Sequence, residues 1–246
     1  MGDHRSGLHG PGRHRLGTTP VLAFWSGTSD GDQRGVDADT LPGPVPSGLS
    51  VHRLRQIHGA GIVVVDAPPP PGSAPWVASP DGTPPEADAV LAVGSSAGVV
   101  VLTADCAPVA LGSPEGVHAA VHAGWRGLVA GVIAGAVDAM RSLGATEVVA
   151  GLGPTIHPCC YRFGAADLAT VAAVAGDEVR AVSSAGDPAL DLPAAVRSRL
   201  SAAKVQVVVD LDQCTACGGN AFSHRARGDA ERQAVFVWGD GGPGLA

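Results

Sequence analysis

Aromatic side chains make up only 4% of the 246 residues, so the core has to be built from Ala, Val, Gly and Leu. Charge is sparse as well. Charged residues are 16% against 45% hydrophobic, which argues against a globally disordered chain. The formal net charge of -7 lacks the basic balance of a nucleic-acid binder. A small anionic substrate stays open, because one or two arginines in a pocket suffice. No uninterrupted apolar run reaches transmembrane length; Val117–Val137 is broken by His118, His122, Trp125 and Arg126. Residues 1–17 are polar and glycine-rich and lack the apolar centre of a secretory signal. The five cysteines are odd in number and suit reduced thiols in a cytoplasmic protein better than a disulfide framework. No internal repeat and no break in composition marks a boundary. The expectation is a flexible tail over residues 1–17 and one domain over 18–246.

The pattern along the chain is α/β. Gly61–Asp66, Ala89–Val93, Val99–Ala104 and Val117–Val121 are short, β-branched and nearly all apolar, as strands covered on both faces are. Gly127–Leu143 carries Leu128, Val129, Val132, Ile133, Ala136, Val137 and Met140 at helical spacing, with Gly144 as a stop. Ala165–Ala175 and Leu192–Ala203 read as helices, the second capped by Asp191. Glu147–Leu152, Val205–Asp210 and Ala234–Trp238 complete the strands. Asp37–Ser50 and the proline-rich Ala67–Glu86 read as loops, the latter long enough to be a surface excursion or a lid.

Three segments place metal-type side chains near strand ends. They are Arg55-Gln56-Ile57-His58-Gly59, Thr103-Ala104-Asp105-Cys106 and His122-Ala123-Gly124-Trp125-Arg126-Gly127. In open α/β sheets, sites form where strands end and helices begin. His58, Cys106 and His122 would give three soft donors and one open position, the pattern of a catalytic zinc site. Each also has an ordinary reading: Cys106 as a buried small hydrophobe, His122 as a core histidine, His58 in a solvated turn. His118 lies four residues before His122, on the same strand face, and is a rival ligand. Asp105 is a candidate proton carrier beside the metal. Arg126 opens a predicted helix, where anions are favoured, and would strengthen binding of phosphate or carboxylate there, or pair with a nearby surface acid. Arg225, Arg227 and Arg232 could add positive charge or be a solvated face. Cys159-Cys160 reads as part of a rigid loop, since adjacent cysteines do not easily chelate one ion. Cys214-Thr215-Ala216-Cys217 is a single CxxC, and two unrelated thiols in a turn is the favoured reading.

Taken in order, Gln56-Ile57-His58-Gly59, Thr103-Ala104-Asp105-Cys106, His122-Ala123-Gly124-Trp125-Arg126-Gly127, Gly153-Pro154 with Cys159-Cys160-Tyr161, and Cys214-Thr215 with Phe222-Ser223 resemble the YfiH family. This family is also described as multicopper polyphenol oxidase laccase-like. The resemblance runs from about residue 54 to 238. It implies a single layered αββα-type sandwich similar to cysteine-hydrolase folds. It implies zinc on His58, Cys106 and His122, and phosphorolysis of adenosine, inosine, guanosine and methylthioadenosine, with adenosine deamination as a further activity. Purine nucleoside and phosphate are then the partners. Gln56, Arg126 and Arg225 become substrate-binding candidates, Asp105, Cys106 and Arg126 catalytic ones, and a monomer is expected. The chain departs from the family at Ala221-Phe222-Ser223-His224-Arg225-Ala226, where His224 stands for a tyrosine and Ala226 for an arginine. The family's N-terminal motif is hardly recognisable around Ala23–Gly35.

Two alternatives follow from the same residues. A copper oxidase acting on phenols conventionally needs His-x-His pairs, and the chain has none among its nine histidines. Soft donors still bind copper, so copper remains an alternative cofactor to zinc. A metal-free hydrolase would use Cys106 as nucleophile and His122 as base.

Overall fold

The computed structural model describes residues 12–35, 41–46, 49–65 and 83–241. In chain order the strands and helices begin with β1 (Gly12–Arg15), β2 (Val21–Trp25), β3 (Ser50–His52), β4 (Ile62–Val65), β5 (Ala89–Val93) and β6 (Ala97–Thr103). There follow β7 (Ala107–Gly112), β8 (Val117–Ala123), α1 (Trp125–Ala130), α2 (Val132–Ser142), β9 (Val149–Leu152) and α3 (Ala165–Ala175). The chain closes with β10 (Arg180–Val182), β11 (Pro188–Leu190), α4 (Leu192–Ala202), β12 (Gln206–Asp210), α5 (His224–Arg227) and β13 (Gln233–Gly239).

Two mixed sheets pack face to face. One has the order β1-β2-β13-β6-β3 and the other β12-β9-β7-β8-β5-β4; β10 and β11 form a separate hairpin. Side-chain alternation along the strands explains the layering. On β5, Ala89 and Leu91 face the helices, while Val90 and Ala92 face the other sheet. The inter-sheet core adds Leu16, Trp25, Val99, Val101, Val235 and Val237, all buried. Because both faces are covered, these strands read as unbroken apolar runs. The expected layered α/β sandwich is therefore present. Helices α1, α2 and α4 cover the six-stranded sheet, and α3 packs on α1 and α4. Among the described residues the outer face of the five-stranded sheet is closed by Val45 and Leu49 against Val51, Val100 and Phe236 rather than by helices.

Several local expectations hold. Asp191 caps α4, its Oδ1 accepting from the Ala194 N–H at 2.8 Å. Others need correction. The run Gly127–Leu143 is two helices, because Gly131 adopts φ 92° and its N–H closes α1 on the Gly127 and Leu128 carbonyls. The apolar stripe is continuous across the break, which is why periodicity alone missed it. The tail does not extend to residue 17. Gly12–Arg15 pairs antiparallel with Val21–Trp25, and Leu16 is fully buried. Residues 1–11 and most of the Ala67–Glu86 loop (66–82) lie outside the described residues, so a lid role for that loop does too. Residue 50 of the Asp37–Ser50 loop opens β3.

The sheets meet at close quarters. A Cβ on Gly151 of β9 would lie 2.5 Å from Trp25 Cη2 and 2.9 Å from Leu16 Cδ2. Gly151→Ala should therefore destabilise the fold by about 1–3 kcal/mol through overpacking. Chemical denaturation checks this, with Gly218→Ala as control, since only the Asn220 backbone nitrogen at 4.0 Å faces that position.

Candidate metal centre

Three separate elements bring His58, Cys106 and His122 together. Their ligating atoms all lie within 4.8 Å of one another. His122 is near the end of β8, Cys106 is in the turn from β6 to β7, and His58 is in the loop from β3 to β4. The two imidazole rings sit edge to face, 4.7 Å between centroids. His122 is buried, Cys106 is half-buried and His58 is exposed, so one side of the cluster opens to solvent.

The His58 loop is held against the segment that leads into β5. Arg55 N–H donates to the Pro85 carbonyl at 2.9 Å, and Asp88 N–H to Gly61 at 3.0 Å. The decisive residue is Asp88, which is fully buried. Its Oδ1 accepts from His122 Nδ1 at 2.8 Å and from His58 N–H at 3.0 Å. Its Oδ2 accepts from Gly59 N–H at 2.6 Å and Ile57 N–H at 3.3 Å. One carboxylate thus fixes the proton of His122 on Nδ1, leaving Nε2 for a metal, and clamps the loop that presents His58. Under that clamp His58 takes φ 59°, a conformation uncommon for a non-glycine residue. Burial opposes charge on Asp88, but the His122 ring and the loop N–H groups win and hold it below the usual carboxylate range.

Electrostatics prepare the thiol as a ligand. Burial would raise the pKa of Cys106, yet the imidazoles of His122 and His58 bring it down to about 6. Burial would lower that of His122, yet the Cys106 thiolate and the Asp88 carboxylate lift it to about 9. Space is shaped for the ligands too. A Cβ on Gly124 would stand 3.0 Å from Cys106 Sγ and 3.1 Å from His58 Cδ2, so a side chain there would press on both candidate ligands. The donor set therefore fits a soft or borderline cation with three protein ligands and one open position.

The expected site residues line one cleft of about 570 Å³ that includes His58, Cys106 and His122. Arg126, Asp105, Gln56 and Arg225 are all on its wall, with Trp125 and Tyr161. Arg126 lies over the Trp125 ring at 4.4 Å and forms no ion pair among the described residues. Arg225 lies over Tyr161 at 5.1 Å. Arg34 and Arg232 also reach the cleft, but Arg34 pairs with Asp32 and Arg232 donates to the carbonyls of residues 229–231. Arg227 turns away to the carbonyls of Thr215 and Ala221.

Three expectations change in the light of these contacts. His118 is not a ligand: its ring nitrogens face the Gly116 and Ala97 carbonyls at 3.1 and 3.0 Å. Gln56 is occupied with Leu102, donating to its carbonyl at 2.7 Å and accepting its N–H at 2.8 Å, so it braces the wall. Asp105 is not a loose proton carrier. Oδ1 accepts from the Thr215 and Ser223 hydroxyls, both at 2.6 Å, and Oδ2 from Arg225 N–H at 2.7 Å. Its carbonyl accepts from Ile156 N–H and the Thr155 hydroxyl. With φ 98°, it is a latch that gathers three loops around the cleft. Asp88 was missed altogether, because a single acid before an apolar strand carries no spacing signal.

A family model described as multi-copper polyphenol oxidoreductase laccase matches residues 45–240. The chain belongs to this family, the YfiH family. A purine nucleoside phosphorylase of Streptomyces coelicolor is 40% identical over 190 residues, 76% of this chain and 74% of the relative. The Escherichia coli purine nucleoside phosphorylase YfiH is 30% identical, over 75% and 72% respectively. Among solved structures, a Neisseria meningitidis protein is similar with TM-score 0.66 and 29% identity, covering 79% of this chain and 76% of its own. A Bacillus licheniformis YfiH protein shares the fold with TM-score 0.74 at 21% identity, covering 89% and 92%. Like its curated YfiH-family relatives, the chain is an enzyme. No helix among the described residues is long and apolar enough to cross a membrane.

Two measurements check the geometry. Asp88→Asn should weaken metal binding about 10–100-fold in competition with a chromogenic chelator, because it loses the carboxylate behind His122. In metal-stripped protein, alkylation of Cys106 followed by peptide mapping should rise with pH through about 6, the thiolate being the reactive form. Added zinc should suppress it.

Proposed function

We propose that this protein is a metal-dependent purine nucleoside phosphorylase, with zinc on His58, Cys106 and His122. The observation that carries the reading is a three-donor centre with an open side, set in a cleft that also holds Arg126, which pairs with no acid among the described residues, and an aromatic wall. The curated relatives named purine nucleoside phosphorylases support it. A zinc ion held by these three residues would supply Lewis acidity and a water of lowered pKa.

The chain's own residues then divide the remaining work. Arg126 and Arg225 hold phosphate by charge-assisted hydrogen bonds. Trp125 and Tyr161 give the purine flat apolar surface to lie against. Asp105 keeps Thr215, Ser223 and Arg225 in register at the cleft and so acts as a positioning residue. In the reaction an oxygen of hydrogen phosphate attacks ribose C1′, and the bond from C1′ to the base nitrogen breaks. The base leaves with the bonding pair, and the phosphate's proton ends on it. Binding both reactants in one cleft removes the entropy of their encounter.

Adenosine deamination is a second reading of the same centre, favoured by its open position. The copper oxidase reading has the family description on its side and a donor set that binds copper. Against it, His52 and His118 are buried in the core away from the cleft, and no group of three or more histidines that could hold an ion occurs among the described residues.

Zinc-loaded protein given adenosine or inosine with phosphate should release free base and ribose 1-phosphate, and Cys106→Ala should abolish this. Base release that ignores phosphate, or inosine accumulating from adenosine as main product, would contradict phosphorolysis. Arg126→Ala should raise the KM for phosphate about tenfold or more, the loss of one charge-assisted contact, with little change in KM for the nucleoside.

A further inference from the structure

We propose that Cys159, Cys160, Cys214 and Cys217 form a second metal site, a closed tetrathiolate centre for one zinc ion that staples the loops behind the cleft. Nothing in their spacing joins these residues, since adjacent cysteines and a lone CxxC are each weak signals. In the fold all four sulfurs lie within 4.8 Å of one another. Cys217 Sγ stands 3.3 Å from Cys159 Sγ and 3.4 Å from Cys160 Sγ, and Cys159 Sγ is 3.9 Å from Cys214 Sγ. A zinc–sulfur bond of about 2.3 Å implies a sulfur–sulfur edge of about 3.8 Å in a tetrahedron. The observed spacings bracket that value.

The local backbone supports the assignment. A tight turn over Pro158–Cys160 lets both adjacent cysteines face the same partner. His157 N–H donates to Cys214 Sγ at 3.4 Å, and the N–H groups of Ala216 and Cys217 also face that sulfur. Such donors stabilise a thiolate held in a CxxC turn, and Gly218 follows directly. Arg227 donates to the carbonyls of Thr215, Ala216 and Gly218 and brings positive charge beneath the turn. Two bonds sew the loops together beside the sulfurs, Thr155 N–H to Gln213 and Thr215 N–H to Thr155. A disulfide would join one pair and leave two thiols aside, whereas Cys217 is nearly equidistant from two sulfurs. Four protein ligands leave no open position, so the centre is structural. On binding, the thiols release their protons to solvent. The staple acts on the cleft through neighbours in sequence: Cys160 precedes Tyr161, and Cys214 precedes Thr215, which donates to Asp105.

The test uses full-length Cys106→Ala protein, in which the first centre is broken and the four cysteines are intact. After zinc loading and desalting, it should retain one zinc per chain. X-ray absorption should show four sulfur neighbours at about 2.3 Å. Adding Cys214→Ser and Cys217→Ser should remove that zinc. Zinc-free Cys106→Ala protein, a sulfur-poor zinc environment, or an intact mass short of two hydrogens from a disulfide would each overturn the proposal. None of these outcomes depends on nucleoside turnover, so the phosphorylase reading stands or falls separately.

Discussion

The first centre depends on one buried carboxylate. Asp88 has no exposure to water, and both of its oxygens are committed, to the His122 ring and to the N–H groups of residues 57–59. A buried charge is tolerated only when it is paired and fully hydrogen-bonded. The same bonds that satisfy Asp88 also orient one ligand and hold the loop carrying another. Removing the carboxylate would free His122 to turn and release His58 from its left-handed conformation. The centre is therefore built from within the sheet outward, and its exposed member, His58, is the one whose order depends most on the clamp.

Asp105 plays the matching role on the other side of Cys106. It stands next to the thiol in sequence and gathers the Thr155, Thr215 and Ser223 loops by side chain and backbone. Two acids thus flank the candidate metal centre without belonging to its donor set. One orders the ligands and the other orders the wall of the cleft. The tetrathiolate staple proposed for the same loops would add a third constraint to that wall. Rigid support of this kind is what holds a catalytic constellation in productive geometry.

Much of this was legible in the sequence, for reasons that differ by element. Strands β5, β6, β8 and β9 are covered on both faces and announced themselves as apolar runs. Helix α4 carried a clear cap in Asp191. The candidate ligands His58, Cys106 and His122 could be proposed because they lie near strand ends, and their grouping was sharpened by the family resemblance. Strand β7 escaped notice because Ala107–Gly112 begins with Ala-Pro and ends in glycine, and β1 because Arg13, His14 and Arg15 look like tail. Asp88 and the four-cysteine cluster were invisible for a different reason. Their partners lie about 30 to 58 residues away, and only the packing of loops after β9 and β12 brings the sulfurs together. Asp105 was seen but misjudged, since its hydroxyl partners Thr215 and Ser223 could not be anticipated from local sequence.

The most direct measurement is a crystal structure of the purified protein with anomalous data at the zinc and copper edges. A zinc peak within bonding distance of His58, Cys106 Sγ and His122 Nε2, with a solvent ligand in the fourth position and Asp88 still on His122 Nδ1, is the expected result. No zinc at that position, or copper bound there in its place, would contradict the assignment of a zinc centre built on the Asp88 clamp.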